Sequence, residues 1–404
     1  MRKSIALASL TVLAACSGGG PESAGSGGVT GGASIGNASD HTFTSPTVKK
    51  TYSAIGAVQT YKYSTDDRAV GQYNQLYAGN ASTARNSGVT ISYDPRDAIF
   101  ELTVADTLAG ANDTIRFQDP AHRTNFGGTK EPQDGTPNVA DLLPLGAASR
   151  NIQYLQVGSS DKVVYGPDSD TFPIGIASGT RDVSTFFYQK PGTTTQYVTY
   201  AGFVRNATAI VEIVNPDSTK YLQQNNTLER AAFVFGERTD NSAVPTTGTA
   251  TYSGDMLATM VYNPQFDSGN TDTYFQWIVG SNTTNVNFGS NTLTTTLTGV
   301  VDAPQFDVYT GRQHELSQGA TFNASAHGSI DLVNKGGFTG QFDSASFTQG
   351  GATQTVDIAG SSLDGAFYGP GGSAEKLEVG GGFRIVGGTP DQRIDIMGAF
   401  TGKK

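Results

Sequence analysis

Four histidines, one cysteine and 36 carboxylates are the residues of this chain with chemistry to offer. His41, His122, His314 and His327 are scattered without the close spacing of a metal-binding pair, so no metal centre is predicted. His122, in "DPAHRTNFGG", is the candidate axial ligand if haem is bound, with His41 second. The simpler expectation for a loop histidine is solvation. No G-x-S-x-G elbow appears, and a sequence cannot bring two of its carboxylates face to face as a glycosidase requires. Glu375 and Glu378 read as solvated corner residues, not as an acid and a base. The stretch "LDGAFYGPGGSAEKLEVGGGFRI" (363–385) contains G-x-G-x-x-A at Gly369, Gly371 and Ala374, but a dinucleotide loop must open a helix. Here an alternating strand follows, so the glycines predict a corner between strands. The expectation is a non-enzyme without catalytic or metal residues and without a cofactor.

Cys16 ends "MRKSIALASLTVLAAC", a charged tip followed by an apolar run from Ile5 to Ala15. That run is shorter than the roughly 20 residues of a membrane-spanning helix and reads as an export signal. Leu13, Ala14, Ala15 and Cys16 match a bacterial lipobox, which makes Cys16 the predicted lipidation site and 1–15 a lipoprotein signal peptide. Several acyl chains together anchor durably. Ser17 at the next position points to the outer membrane by the lipoprotein sorting rule. With no second cysteine, disulfides are excluded. Loss of Arg2 and Lys3 with the signal reduces 26 basic residues to 24 against 36 acidic ones, a balance that argues against nucleic acid as a partner.

Residues 16–40 are rich in Gly, Ser and Ala and predict a flexible tether. Glycine is abundant at 51 residues and the patterned segments are built from Thr, Ser, Val, Tyr and Phe, so the predicted class is all-β. Residues 41–243 carry irregular strand signals such as "AIFELTV", "AIVEIV" and "AAFVFG", expected to form a β-rich handle-like domain. Residues 244–404 alternate far more regularly. In "ATFNASAHGSIDL" the apolar positions Ala320 to Leu332 and the polar positions Thr321 to Asp331 separate onto two faces. Eight strands are predicted, near 249–262, 283–289, 292–301, 320–333, 337–348, 363–368, 376–386 and 393–401. Glycines on their apolar faces permit the bending that closes an eight-stranded antiparallel barrel. A membrane-spanning barrel would alternate too, with its apolar face outward; the lipid anchor and the ending "TGKK" favour a soluble one.

"GTATYSGDM" (248–256), "NVNFGSNTLTTTLTG" (285–299), "GGFTGQF" (336–342), the 363–385 stretch and "IMGAFTGKK" (396–404) together resemble the C-terminal barrel of the transferrin-binding protein B family of surface lipoproteins. The namesakes have two handle-plus-barrel lobes; here there is one. The resemblance implies a lipid-anchored outer-membrane protein on the cell surface that captures an extracellular protein or a protein-bound iron or haem ligand. It further implies a surface-lipoprotein translocon and a TonB-dependent receptor as partners. Contacts in the family lie in variable loops, so it assigns no binding residue.

Two regions supply candidates from the residues themselves. "STFFYQKPGTTTQYVTYAGF" (184–203) predicts a hairpin around Pro191 and Gly192, and its aromatics cannot all enter one core by strict alternation. Phe187, Tyr188, Tyr197 and Tyr200 are therefore candidate interface anchors, unless the sheet is covered on both faces. The long connections 263–282 and 302–319 add Phe266, Tyr274, Trp277, Phe306 and Tyr309, of which Trp277 and Tyr309 are the stronger candidates, the alternative being that part of "YFQWIVG" is another strand or packs against the handle. The readings to separate are capture of a protein or protein-bound nutrient at the surface, binding of haem in the handle half, and a structural envelope barrel without cargo. A periplasm-facing orientation is the alternative localisation.

Overall fold

In the computed structural model, the described residues are 41–66, 68–79, 87–106, 111–118, 151–161, 179–265, 273–302, 316–388 and 393–404. Among them the first ten strands are β1 (Lys50–Ser53), β2 (Ile55–Asp66), β3 (Ala69–Gly79), β4 (Val89–Asp94), β5 (Ile99–Asp106), β6 (Ala111–Gln118), β7 (Ile152–Asp161), β8 (Gly179–Gln189), β9 (Val198–Val214) and β10 (Lys220–Gly236). The others are β11 (Thr249–Asn263), β12 (Tyr274–Asn287), β13 (Thr292–Val301), β14 (Thr321–Asp331), β15 (Gly337–Gln349), β16 (Ala352–Thr355), β17 (Ile358–Tyr368), β18 (Glu378–Gly387) and β19 (Arg393–Lys403). Helix is confined to two short 3-10 turns, Asn241–Ala243 and Ala374–Lys376, among the described residues. The all-β reading holds.

Three sheets follow from these strands. A four-stranded sheet has the order β1-β4-β5-β6, and a six-stranded sheet the order β3-β2-β10-β9-β8-β7. The third closes: β11, β12, β13, β14, β15, β17, β18 and β19 pair in a ring, with β16 added to β15. Every pairing in the ring is antiparallel. The predicted eight-stranded barrel is therefore present. Its second strand is longer than the alternation suggested, because its first half is buried on both sides: Ile278 enters the barrel, while Trp277 and Val279 face the six-stranded sheet.

Phe322, Phe338, Phe342, Phe347, Phe383 and Phe400 fill the barrel interior, so it is a packed core and not a channel. The wall of β13 and β14 turns Thr294, Thr296, Thr298, Asn323 and His327 to solvent. A bilayer-facing wall carries apolar residues outward, so this alternation has the opposite sense. Glycines on the inner face have a more specific role than bending. Phe338 pairs directly across from Gly365, Phe383 from Gly398 and Phe400 from Gly381, and each ring lies over its glycine. A Cβ on Gly365 would sit 2.0 Å from the Phe338 ring, so the missing side chain is the space that the phenylalanine occupies.

The six-stranded sheet is buried on both faces. On one side Phe186, Tyr188, Phe203, Phe233 and Phe235 meet Tyr52, Ile91, Tyr93, Phe100 and Phe117 of the four-stranded sheet. On the other, Phe187, Tyr200, Val204, Ala232 and Val234 meet Leu257, Trp277, Val279, Ala366, Tyr368 and Ala399 of the barrel wall. The described residues accordingly belong to one compact unit, Gly36–Lys404.

The interior of the barrel sets a sharp test. At Gly398 an added Cβ would lie 2.5 Å from the Phe383 ring and 2.7 Å from Ala258, whereas nothing lies within 4 Å of the Cβ position at Gly360. Gly398→Val is expected to lower unfolding stability by about 2–3 kcal/mol and Gly360→Ala to change it by less than about 0.5 kcal/mol, read from urea-unfolding midpoints.

Candidate functional site

Antiparallel closure sorts the barrel connections by end. Connections 288–291, 332–336 and 369–377 leave by one end; 264–273, 302–320, 350–357 and 388–392, the two longest among them, leave by the other. Both long connections singled out in the sequence thus spring from one rim. Strand β3, an edge of the six-stranded sheet, runs beside it.

The strand ends at that rim are held by glutamines. An amide side chain offers both a donor and an acceptor, so it can pair with a backbone segment as another strand would. Gln276 donates from Nε2 to the carbonyls of Leu316 (2.8 Å) and Asp302 (3.1 Å), and its Oε1 accepts the Leu316 N–H at 3.1 Å. Both feet of the 302–316 connection are tied to one buried side chain. Gln72 treats Thr273 in the same way, accepting its N–H at 2.9 Å and donating to its carbonyl at 3.0 Å. Tyr61 fixes the acceptors by donating to Gln72 at 2.5 Å and Gln75 at 2.8 Å, and the Thr273 hydroxyl donates to Gln75 at 3.1 Å. Gln349 and Ser317 exchange a further pair of bonds. Connections mounted on such fixed feet are where binding is expected on a rigid scaffold.

The aromatic candidates lie elsewhere. Phe187, Tyr188, Tyr200 and Trp277 are buried, each at 4 % exposure or less, and do not stand out as surface anchors. The reason is the double cover of the six-stranded sheet: Tyr188 faces the small sheet, while Phe187 and Tyr200 face the barrel, with the Phe187 ring 5.5 Å from Trp277, edge to face. Tyr197 is half-buried against the same seam. Tyr274 is also buried. Cys16, Tyr309, His122, His314, Phe266 and Phe306 lie outside the described residues. His41 accepts the Thr47 N–H at Nδ1 and faces Glu237 with Nε2 at 3.8 Å; burial and then Lys50 hold its pKa below the usual value. Among the described residues no group of His, Cys, Asp and Glu is assembled for a metal ion.

The glycine-rich corner has already spent its amides. The Gly369 N–H donates to the Glu237 carbonyl at 3.0 Å and the Gly372 N–H to that of Ala243 at 2.7 Å. Both glycines, like Gly371, have positive φ, and a Cβ on Gly371 would lie 2.7 Å from Ala243. The corner is a joint against the 237–243 segment. Glu378, expected in solvent, is instead buried: it accepts the N–H groups of Gln196 and Tyr197 at 2.7 Å and of Val198 at 3.3 Å. Its signal was invisible in sequence because its partners are about 180 positions away. Glu375 is exposed and pairs with Lys404.

Residues 244–404 match the family described as the C-lobe and N-lobe beta barrels of Tf-binding protein B. The matched stretch is the whole closed ring with its lead-in, so the barrel is the part of this chain that is similar to that family. Similar solved structures include a double mutant of Transferrin Binding Protein B from Haemophilus parasuis Hp5, at 13 % identity over 90 % of this chain and 78 % of that one, with a TM-score of 0.27. Intact Ap-TbpB with its N and C lobes gives 13 % identity over 90 % and 79 %, TM-score 0.29. Isotype 1 TbpB from serogroup B Neisseria meningitidis gives 12 % over 90 % and 78 %, TM-score 0.22. These overall superpositions are too loose to carry over a contact surface. No curated protein matches the sequence.

Two measurements check the site's supports. Gln276→Ala orphans the buried N–H and carbonyl of Leu316 and is expected to cost about 1–3 kcal/mol, with faster hydrogen exchange at the Leu316 amide than elsewhere in the barrel. For Glu378, burial pushes the folded pKa above the ordinary carboxylate value, against the pull of its three amide donors. Between those two values the folded state keeps the proton that the unfolded state has lost. The stability contributed is therefore full below the ordinary value and is lost as pH rises through the folded one. Glu378→Gln should flatten that segment of the stability–pH curve in urea melts, and at neutral pH should cost about 1–3 kcal/mol by shorting the three N–H groups of one acceptor oxygen.

Proposed function

We propose that this chain is a lipid-anchored surface protein of the outer membrane that captures an extracellular protein or a protein-bound nutrient, in the manner of iron or haem acquisition. The observation that carries the reading is the transferrin-binding protein B-type barrel over 244–404. The arrangement of its connections supports it: the long ones share one rim and stand on glutamine-clamped feet. Residues 1–15 act as the signal peptide, Cys16 as the acylated residue and 16–40 as the tether, while 41–243 is the handle and 244–404 the barrel. Binding, not catalysis, is the activity, and the partner docks on the rim and the neighbouring edge of the handle. The family's printed name makes transferrin the first partner to try. A surface-lipoprotein translocon delivers the protein, and a TonB-dependent receptor receives the cargo.

The test is protease accessibility on intact cells, followed by capture. Native protein is expected to be shaved from the surface, and a Cys16→Ala form is expected not to be displayed there. Purified protein should retain transferrin or another host iron protein on a sensor surface and lose it when 302–316 is exchanged for a short turn. Protection from protease on intact cells overturns surface capture, and display without retention of any iron protein overturns the cargo.

A further inference from the structure

The lead-in to β1 is held by one histidine. His41 accepts the Thr47 N–H at Nδ1, 3.1 Å away, and so closes residues 41–47 on themselves. Inside this closure the backbones of Thr42 and Ser45 exchange bonds at 3.4 and 3.2 Å. Phe43 is buried between them, its ring 5.6 Å from that of Tyr52 and 5.7 Å from that of Phe235. The closure therefore seats an aromatic side chain in the core shared by the four-stranded and six-stranded sheets.

That bond decides where the ring carries its proton. A ring nitrogen that accepts has no hydrogen, so neutral His41 bears its hydrogen on Nε2. Nε2 is buried and makes no hydrogen bond, and Glu237 Oε1 opposite it is also buried and accepts none. The two atoms are 3.8 Å apart, close enough for an ion pair and too far for a hydrogen bond. Glu237 gives its other oxygen, Oε2, to Lys50. The charged and titratable groups around the ring are thus Lys50 and Tyr52 of β1 and Glu237 beyond the end of β10. Burial, and then Glu237, raise the Tyr52 pKa, so that phenol stays neutral. A second proton on His41 has only Nδ1 to go to, where it meets the Thr47 N–H, and two donors cannot bond each other. The same proton makes the ring a cation, and an unused carboxylate oxygen faces it. The ring has two seats, neutral on Thr47 and charged against Glu237, and taking the second means leaving the first.

We propose that His41 is a pH-operated latch on the 41–47 segment: the neutral ring closes the segment onto the sheets, and the protonated ring releases the Thr47 N–H and pairs with Glu237. Burial, and then Lys50, hold the His41 pKa below its ordinary value, so the folded chain takes up this proton less readily than the unfolded one. The stability that the closure contributes is therefore full above the ordinary histidine value and is lost as pH falls through the folded one. The inference stands on the side chains of this chain and is independent of the capture function.

The Thr47 amide of the full chain reports the latch. Its hydrogen exchange, corrected for the intrinsic effect of pH, is expected to quicken about tenfold or more between about pH 7.5 and about pH 5, while the amides of β4 keep their protection. His41→Asn places an acceptor oxygen near the Nδ1 position and has no proton to gain, so it should hold the amide protected at both pH values. Glu237→Gln keeps the neutral seat and removes the anion that receives the charged ring, so the segment should open only at lower pH. The nitrogen chemical shifts of the His41 ring in the wild type give a second reading that needs no variant: near neutrality the proton should be on Nε2, and at about pH 5 on both nitrogens. Exchange at Thr47 that is the same at both pH values, a quickening of equal size in His41→Asn, or a neutral ring with its proton on Nδ1 overturns the proposal.

Discussion

A β-sheet with two apolar faces cannot stand alone in water, and the six-stranded sheet of this protein has two. Phe186, Phe187 and Tyr188 follow one another on β8 and are all buried, so neither face can be left to solvent. One face takes the four-stranded sheet and the other takes the barrel. The six-stranded sheet and the barrel are consequently joined by a core, at about 1.5–3 kcal/mol for each large apolar side chain buried there. Trp277 and Tyr368 serve the seam from the barrel side, which is why the barrel wall is apolar there and polar on β13 and β14.

That seam also fixes where polar chemistry can be placed. Around its apolar centre the protein sets side chains that bond backbone across the joint: Glu378 on the 196–198 segment, Gln59 on the Asp395 carbonyl and Gln72 on Thr273. Each satisfies groups that a sheet ladder does not reach, and each would leave costly orphans if removed. Arg230, buried in the same layer, donates to the carbonyls of Arg205 and Glu229 and lies 5.5 Å from the Phe275 ring; burial lowers its pKa to about 9, which leaves it charged at neutral pH. The polar groups of the joint thus register one half on the other, while the aromatics supply the adhesion.

The barrel solves a different packing problem. A ring of eight strands has a narrow interior, and phenylalanines on every inner face would overfill it. Pairing Phe338, Phe383 and Phe400 with a glycine directly across makes room for each ring without widening the barrel. This leaves a packed cylinder whose two longest connections, 264–273 and 302–320, emerge at one end.

The sequence by itself determined the all-β class and the barrel strands with their division into an apolar and a polar face, because side-chain alternation is a local property that a half-buried strand cannot avoid; which face turns inward was decided by closure. The corner between strands at 369–377 and the connection 302–320 were legible for the same reason, whereas half of the connection expected over 263–282 is the start of β12. Only the tertiary structure decided which face of an evenly apolar strand meets which partner, since strands buried on both sides lose their alternation: hence the burial of Phe187, Tyr188, Tyr200 and Trp277, and the choice between strand and connection for the first half of β12, which the sequence left open. It also decided the fate of isolated polar residues. Glu378 among the amides of 196–198, Gln276 between two loop feet, and Arg384 with Asp395 and Tyr77 all owe their roles to partners set by sheet register and by the seam, and no local pattern in the chain encodes those contacts.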